Sequence, residues 1–146
     1  MQINTTRFGK IEIEPEAVLF FEAGLVGYED CRQWVLLADP ENSAIGWLQS
    51  VTRPELAMAV VSPRRFVPEY RVRVSPQQLQ TLQLADSDQA FVLSIVGRND
   101  HAITLNLRAP LVVNLQQRLG RQLITLDEQP LQHVIARQDL LRRKAA

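Results

Sequence analysis

A proline set between two short apolar runs constrains this chain more than any other feature in it. Thr104 to Asn114 reads Thr-Leu-Asn-Leu-Arg-Ala-Pro-Leu-Val-Val-Asn. Pro110 has no N–H to give to a ladder and pushes Ala109 toward extended geometry. The segment is therefore expected to form a strand, a bend at the proline and a second strand. The polar side chains of Thr104, Asn106 and Asn114 are placed to serve backbone groups where the ladder is interrupted. Asn106 and Asn114 in particular are expected to hold the bend at Ala109-Pro110 by side-chain to backbone hydrogen bonds. No acid, base or nucleophile set lies within it, so its role reads as structural.

Period-two patterning runs through the rest of the chain. Met1, Ile3 and Thr5 alternate with Gln2, Asn4 and Thr6; after Phe8-Gly9-Lys10, Ile11 and Ile13 alternate with Glu12 and Glu14. This predicts a hairpin with one wet face. Further strands are expected at Trp34 to Ala38, Ile45 to Ser50, Leu56 to Val61, Tyr70 to Val74, Ala90 to Val96, Ile103 to Leu107, Leu111 to Leu115 and Gln122 to Leu126. Gly, Pro, Asn and Asp punctuate them at short intervals. Many short strands on one small core argue for a mainly β fold, a single closed or nearly closed barrel. Ser75-Pro76-Gln77-Gln78 has the form of a capping box with proline at the first helical position, which predicts one short helix between two strand groups. It should end before Asp86-Ser87-Asp88. Residues 131–146 are set apart from the 1–130 barrel as a basic tail, either helical from about Leu131 to Leu141 or frayed.

With 146 residues, 46% of them hydrophobic, the chain suits one domain and one core. Its longest apolar run, Leu56 to Val61, is too short to cross a bilayer. No secretory signal is visible, and the lone Cys31 fits a reducing compartment, so a soluble cytoplasmic protein is expected. The sixteen basic and sixteen acidic residues cancel. Their placement does not: residues 1–62 carry four basic against nine acidic groups, and the remainder carries the opposite excess. Either two poles on the surface or internal complementarity would follow from that.

The chemistry-bearing residues do not converge. His101, His133 and Cys31 lack metal-ligand spacing, so no metal or cofactor is expected. No serine sits in a strand-to-helix elbow. Glu12 and Glu14 share a strand face and could form an acid/base pair, but a solvated face that discourages edge pairing explains them as well. Gly24-Leu25-Val26-Gly27 has the spacing of a phosphate-backbone clamp, yet Tyr28-Glu29-Asp30 follow it where basic residues would be needed. A turn requiring positive φ is the simpler reading. Arg64-Arg65 and Arg71/Arg73, near Phe66 and Tyr70, are the one internal basic group that could touch nucleic acid.

Several segments together resemble the FliW family of flagellar assembly factors. Besides Thr104 to Asn114 they are Gly24-Leu25-Val26-Gly27-Tyr28, Trp47-Leu48-Gln49-Ser50-Val51, Pro54-Glu55-Leu56-Ala57, Phe66-Val67-Pro68-Glu69-Tyr70 and Gly120-Arg121-Gln122 leading into Leu123 to Leu126. Val26 and Leu105 depart from the family pattern, and the part after Pro130 matches it poorly. The resemblance implies a binding protein, not an enzyme: a barrel-like monomer that binds newly made flagellin and, alternatively, the RNA-binding translational repressor CsrA, without touching nucleic acid itself. On that reading Phe66, Val67 and Tyr70 are candidates for an apolar groove that takes flagellin, with core packing as the competing explanation for each. Glu12, Glu14 and Glu16 are candidates for steering the basic CsrA surface. An RNA- or ligand-binding barrel without a flagellar role is the alternative, and a small hydrolase ranks third.

Overall fold

The computed structural model describes residues 1–85 and 90–137. The expected N-terminal hairpin is formed by β1 (Gln2–Thr5) and β2 (Gly9–Glu12), paired antiparallel with Thr5 opposite Gly9. Gly9 supplies the positive φ of the turn, and the Thr5 hydroxyl accepts from the Phe8 N–H and donates to the Gly9 carbonyl. Ile3 and Thr5 are buried while Gln2 and Asn4 face water, as the alternation requires.

The other strands are β3 (Leu19–Phe21), β4 (Gln33–Ala38), β5 (Gly46–Ser50), β6 (Ala57–Val61), β7 (Ala90–Arg98), β8 (Ala102–Leu105), β9 (Leu111–Asn114), β10 (Leu119–Gln122) and β11 (His133–Arg137). β7 pairs with β6 along one edge and with β9 along the other, so β3 to β7, β10 and β9 close into a seven-stranded barrel. All its pairings are antiparallel except β10 against β3. Alternate residues of these strands point inward: Leu19, Phe21, Trp34, Leu48, Val60, Leu111 and Val113 form the buried interior. Phe21 meets Trp34 edge to face with centroids 6.5 Å apart. Gly120 lies opposite Phe21 in the ladder, and a Cβ there would stand 2.3 Å from the Phe21 ring. Glycine at that position is what lets the ring fill the barrel.

The barrel's outer face is covered piecewise. The β1–β2 hairpin lays Ile3 and Ile13 over Val35. The one-turn helix α1 (Pro76–Gln80) and the segment after it bring Leu79, Leu82 and Leu84 onto Val112 and Leu123. β8 and β11 pair with each other and continue the sheet from the C-terminal half of β7.

That last arrangement explains the proline-centred signature. β8 and β9 are two halves of one arm that runs antiparallel to β7, with Leu105 opposite Val96 and Leu111 opposite Leu93. Between those pairs, Ser94 and Ile95 of β7 face the five residues Asn106 to Pro110, so the arm bulges out. The ladder cannot serve the extruded peptide groups, and other parts of the chain do. Asn106 Oδ1 accepts from the Ala109 N–H at 3.0 Å. The Leu107 N–H donates to the Pro130 carbonyl. The Leu107 carbonyl accepts from the Tyr70 hydroxyl at 2.6 Å, the Arg108 carbonyl from the Thr125 N–H and hydroxyl, the Ala109 carbonyl from Gln122 Nε2, and the Pro110 carbonyl from the Leu123 N–H.

The expectation for Asn106 holds; that for Asn114 does not. Asn114 sits at the far end of β9, where its Nδ2 donates to the Leu82 and Gln83 carbonyls and its Oδ1 accepts from the Gln117 N–H. It ties the segment after α1 to the β9–β10 turn instead of holding the bend. Thr104 is buried in β8 and Pro110 in the bulge.

Other expectations change as well. Tyr70 to Val74 is extended but belongs to no sheet; its alternation packs Tyr70, Val72 and Val74 against the barrel, and the Arg73 carbonyl accepts from the Leu126 N–H. The strand expected at Gln122 to Leu126 is β10 shifted back to Leu119–Gln122, because Leu123 and Thr125 turn their N–H groups to the bulge. Within the described part of the tail, neither a helix nor a frayed end forms: His133–Arg137 is the strand β11, held by its antiparallel pairing with β8. Residues 138–146, with the basic run Arg142 to Lys144, and the Asp86 to Asp88 stop signal lie outside the described residues. The capping box is partly diverted: Gln78 only grazes the Ser75 hydroxyl at 3.5 Å and pairs with the Ile124 backbone through both amide atoms.

Removing a buried hydrogen-bonding partner costs about 1–3 kcal/mol. Asn106→Ala should lower stability by about that amount in chemical denaturation, and should reduce partner binding only in proportion to the fraction unfolded. A fully stable variant that no longer binds would show that Asn106 serves a partner.

Candidate protein-docking site

The two ends of the barrel differ. At one end the loop between β3 and β4 folds in as a plug. Gly24 and Gly27 both have positive φ, and Leu25 and Tyr28 exchange N–H to carbonyl bonds across the tight turn between them. A Cβ on Gly24 would meet the Tyr28 carbonyl at 2.5 Å. The turn drives Leu25 and Cys31 into the interior beside Trp34 and Leu56, while the indole N–H of Trp34 donates to the Cys31 carbonyl. Gln122 Oε1 accepts from the Val26 N–H, so one glutamine joins this plug to the bulge at Ala109. The Gly24 to Gly27 pattern is thus a turn, as read from the sequence. Gln49, in another of the segments that carried the resemblance, puts its Nε2 within reach of the Ser50, Arg53, Pro54 and Leu56 carbonyls and shapes the β5–β6 turn.

At the other end the barrel is open. Leu36 on β4, Gly46 on β5, Val60 on β6 and Leu93 and Phe91 on β7 occupy inward-facing positions of their strands and line a depression of about 880 Å³. Phe91 is 55% exposed and Leu36 40%. Arg64 and Arg65 stand on the rim, in the 3-10 turn Pro63–Arg65 that follows β6. An apolar mouth with uncovered aromatic and aliphatic side chains suits a partner's apolar face better than a small polar substrate.

The sequence candidates separate on this frame. Phe66, directly after the rim, is 41% exposed. Val67 is half-buried against Val61, Tyr70, Leu105 and Leu107. Tyr70 is 3% exposed, with its hydroxyl on the Leu107 carbonyl; it packs in the core and presents no side-chain surface. Glu12, Glu14 and Glu16 are all exposed at the end of the hairpin and in the 3-10 turn Pro15–Ala17. The Glu12 carboxylate pairs with the Met1 ammonium at 2.9 Å. In the basic group, Arg64 Nε donates to the Tyr70 carbonyl and holds the loop, and Arg71 and Arg73 are exposed. Among the described residues, the ion pairs Met1–Glu12 and Arg53–Glu55 each join groups of the acidic N-terminal half, so neither neutralises one half with the other. No group of three or more metal-ligating side chains gathers among the described residues, and no described helix is long and apolar enough to cross a membrane.

Leu36 and Phe91 escaped the sequence reading because period two marks the face a residue takes, not whether the barrel end above it is covered.

A seven-stranded closed barrel, plugged at one end and open and apolar at the other, defines a small barrel protein whose open mouth is the candidate docking surface. The FliW protein family model matches residues 2–135, and the chain belongs to that family. Among its relatives, the flagellar assembly factor FliW of Bdellovibrio bacteriovorus is 40% identical over 129 residues, spanning 87% of this chain and 74% of that protein. That of Thermoanaerobacter pseudethanolicus is 34% identical over 139 residues, spanning 92% and 93%. A crystal structure of the flagellar assembly factor FliW superposes with a TM-score of 0.84 at 30% identity, covering 92% of this chain and 96% of that one. The match extends to residue 135, within β11.

Burial pushes the Tyr70 phenol up to about 12, with the nearby Asp127 charge adding to it. The folded state therefore holds this proton where the unfolded chain, near 10, releases it. Stability from this group is present below pH 10 and is lost as pH rises toward 12. Unfolding midpoints measured from pH 9 to 12 should fall more steeply for the wild type than for Tyr70→Phe; parallel slopes would place the phenol in water.

Proposed function

We propose that this chain is a cytoplasmic flagellar assembly factor that binds newly made flagellin and, alternatively, the translational repressor CsrA, so that flagellin export frees it to lift repression. The observation that carries the reading is the family match over nearly the whole described fold, together with an open apolar mouth of the size that a partner segment needs. Flagellin before export has terminal segments without their assembly partners, and an amphipathic helix among them can lay its apolar face into a preformed groove. Phe91 and Leu36 at the mouth, with Phe66 beyond the rim, are the side chains assigned to that contact. CsrA must carry basic residues to grip RNA phosphates, and Glu14 and Glu16, with Glu12 partly spent on the N-terminus, are assigned to steering it.

Co-purification of the tagged chain from its native cytoplasm should bring down both flagellin and CsrA, and recovery of neither would end the proposal. Phe66→Asp and Phe91→Asp should each weaken flagellin binding at least tenfold in calorimetry while the far-UV spectrum and melting temperature are kept. Unchanged affinity in folded variants would remove these side chains from the interface.

Lysine at positions 12, 14 and 16 together should slow CsrA association in stopped-flow, most clearly at about 0.01 M salt where the Debye length is about 30 Å, and should spare flagellin. An association rate insensitive both to the triple change and to ionic strength would leave the hairpin as a solvated face alone.

A further inference from the structure

β6 and β7 part company halfway along the barrel wall. They pair only at Val60 with Ile95 and Val61 with Ser94. Carried on, the same register would set Ala59 against Val96, Met58 against Gly97 and Ala57 against Arg98. Instead, β7 from Val96 to Arg98 leaves the barrel to pair with β8 alone, and β6 from Ala57 to Ala59 keeps β5 alone. Those two stretches line a cleft of about 550 Å³ on the outer face. Along each stretch, the backbone groups that point into the cleft have no strand partner among the described residues. Ala57, Ala59 and Gly97 keep the floor low enough for another backbone to approach.

The cleft is basic at its edges. Arg98 is exposed on one wall. On the other, the Arg7 guanidinium lies 3.7 Å from the centre of the Trp47 ring. Among the described residues, no acidic side chain lines it. The nearby Asp39 is occupied elsewhere: one oxygen accepts the Trp47 indole N–H and the other the Glu41 and Asn42 N–H groups. The Trp47 bond first, and then these backbone bonds and the Arg7 charge, hold its carboxyl below the usual range.

We propose that this cleft is a second docking site, for an extended segment of a partner protein that carries carboxylates. The segment lies as a strand between Ala57–Ala59 and Val96–Arg98, its backbone taking up the unpaired edge groups and its carboxylates meeting Arg7 and Arg98. A helix cannot offer free N–H and C=O groups to those edges, and a basic segment meets two arginines of its own sign. The site is separate from the mouth and from the carboxylates of Glu12, Glu14 and Glu16, with only Arg7 supplied by the turn of that hairpin, and it stands whether or not flagellin and CsrA are the partners.

The test is amide NMR on the isotope-labelled chain. In the free protein, the cleft-facing amides of 57–59 and 96–98 should exchange with solvent at least a hundredfold faster than those of Val60 and Ile95. The probe is a terminally blocked decapeptide of alternating Glu, Val and Thr, titrated to millimolar concentration; it should shift these amides and slow their exchange. The same peptide with Lys for Glu should leave them unmoved, and Arg98→Glu, away from the core, should abolish the shifts while keeping the melting temperature. Edge amides already protected in the free protein, a Glu peptide that shifts none of them, or equal shifts from the Lys peptide or in Arg98→Glu would each overturn the proposal.

Discussion

The bulge at Asn106 to Pro110 is the constraint on which the remainder of this structure turns. One chain arm serves two sheets: through β8 it extends the flap with β11, and through β9 it closes the barrel against β10. The change of sheet forces peptide groups out of the ladder, and each orphaned group would cost about 1–3 kcal/mol if buried without a partner. Their partners come from distant parts of the chain. Tyr70 reaches the bulge across the flap side, Leu123 and Thr125 follow β10, Pro130 precedes β11, and Gln122 spans from the bulge to the plug at Val26. Satisfying one local irregularity therefore fixes the position of several otherwise irregular segments.

This dependence separates what could be read from the sequence from what could not. Asn106, three residues before Ala109, is a local capping problem, and local side-chain geometry solves it as expected. Asn114 has the same residue type in the same signature, but its partners at Leu82 and Gln83 are about thirty positions away, and nothing near it in the chain announces them. The alternations at Tyr70 to Val74 and at Leu123 to Leu126 are real and set which side chains are buried, yet period two reports a face and not a ladder. β11 is not legible for a related reason: Val134 and Ile135 accept either geometry, and the choice is made by the free edge of β8. The short β3 was missed because its three residues carry no alternation long enough to read. In sequence Gly120 is indistinguishable from a turn glycine, whereas its role is to make room for the Phe21 ring.

The open apolar mouth follows from the same pattern of closure. The chain plugs one barrel end with its own Leu25 and Cys31, held by two positive-φ glycines, and leaves Leu36 and Phe91 uncovered at the other. Of the three aromatic and aliphatic residues singled out near the midsection, only Phe66 is left clearly on the surface, because Tyr70 is drawn into the core by the bulge it supports. Residue type and neighbourhood in sequence do not separate Phe66 from Tyr70; the demand for hydrogen-bond partners at the bulge decides which of the two is buried.

Native-state hydrogen exchange at Leu123 and Thr125 reports directly on whether the bulge organises the fold. Neither residue lies in a strand, so loop-like exchange would be the ordinary expectation for their amides. If the bulge organises the fold as described, both should exchange only with global unfolding, at the rates of the β9 and β10 amides, and Gln122→Ala should leave that protection in place while loosening Val26. Exchange of Leu123 and Thr125 at loop rates, with the barrel strands still protected, would mean that the bulge does not hold these segments in place.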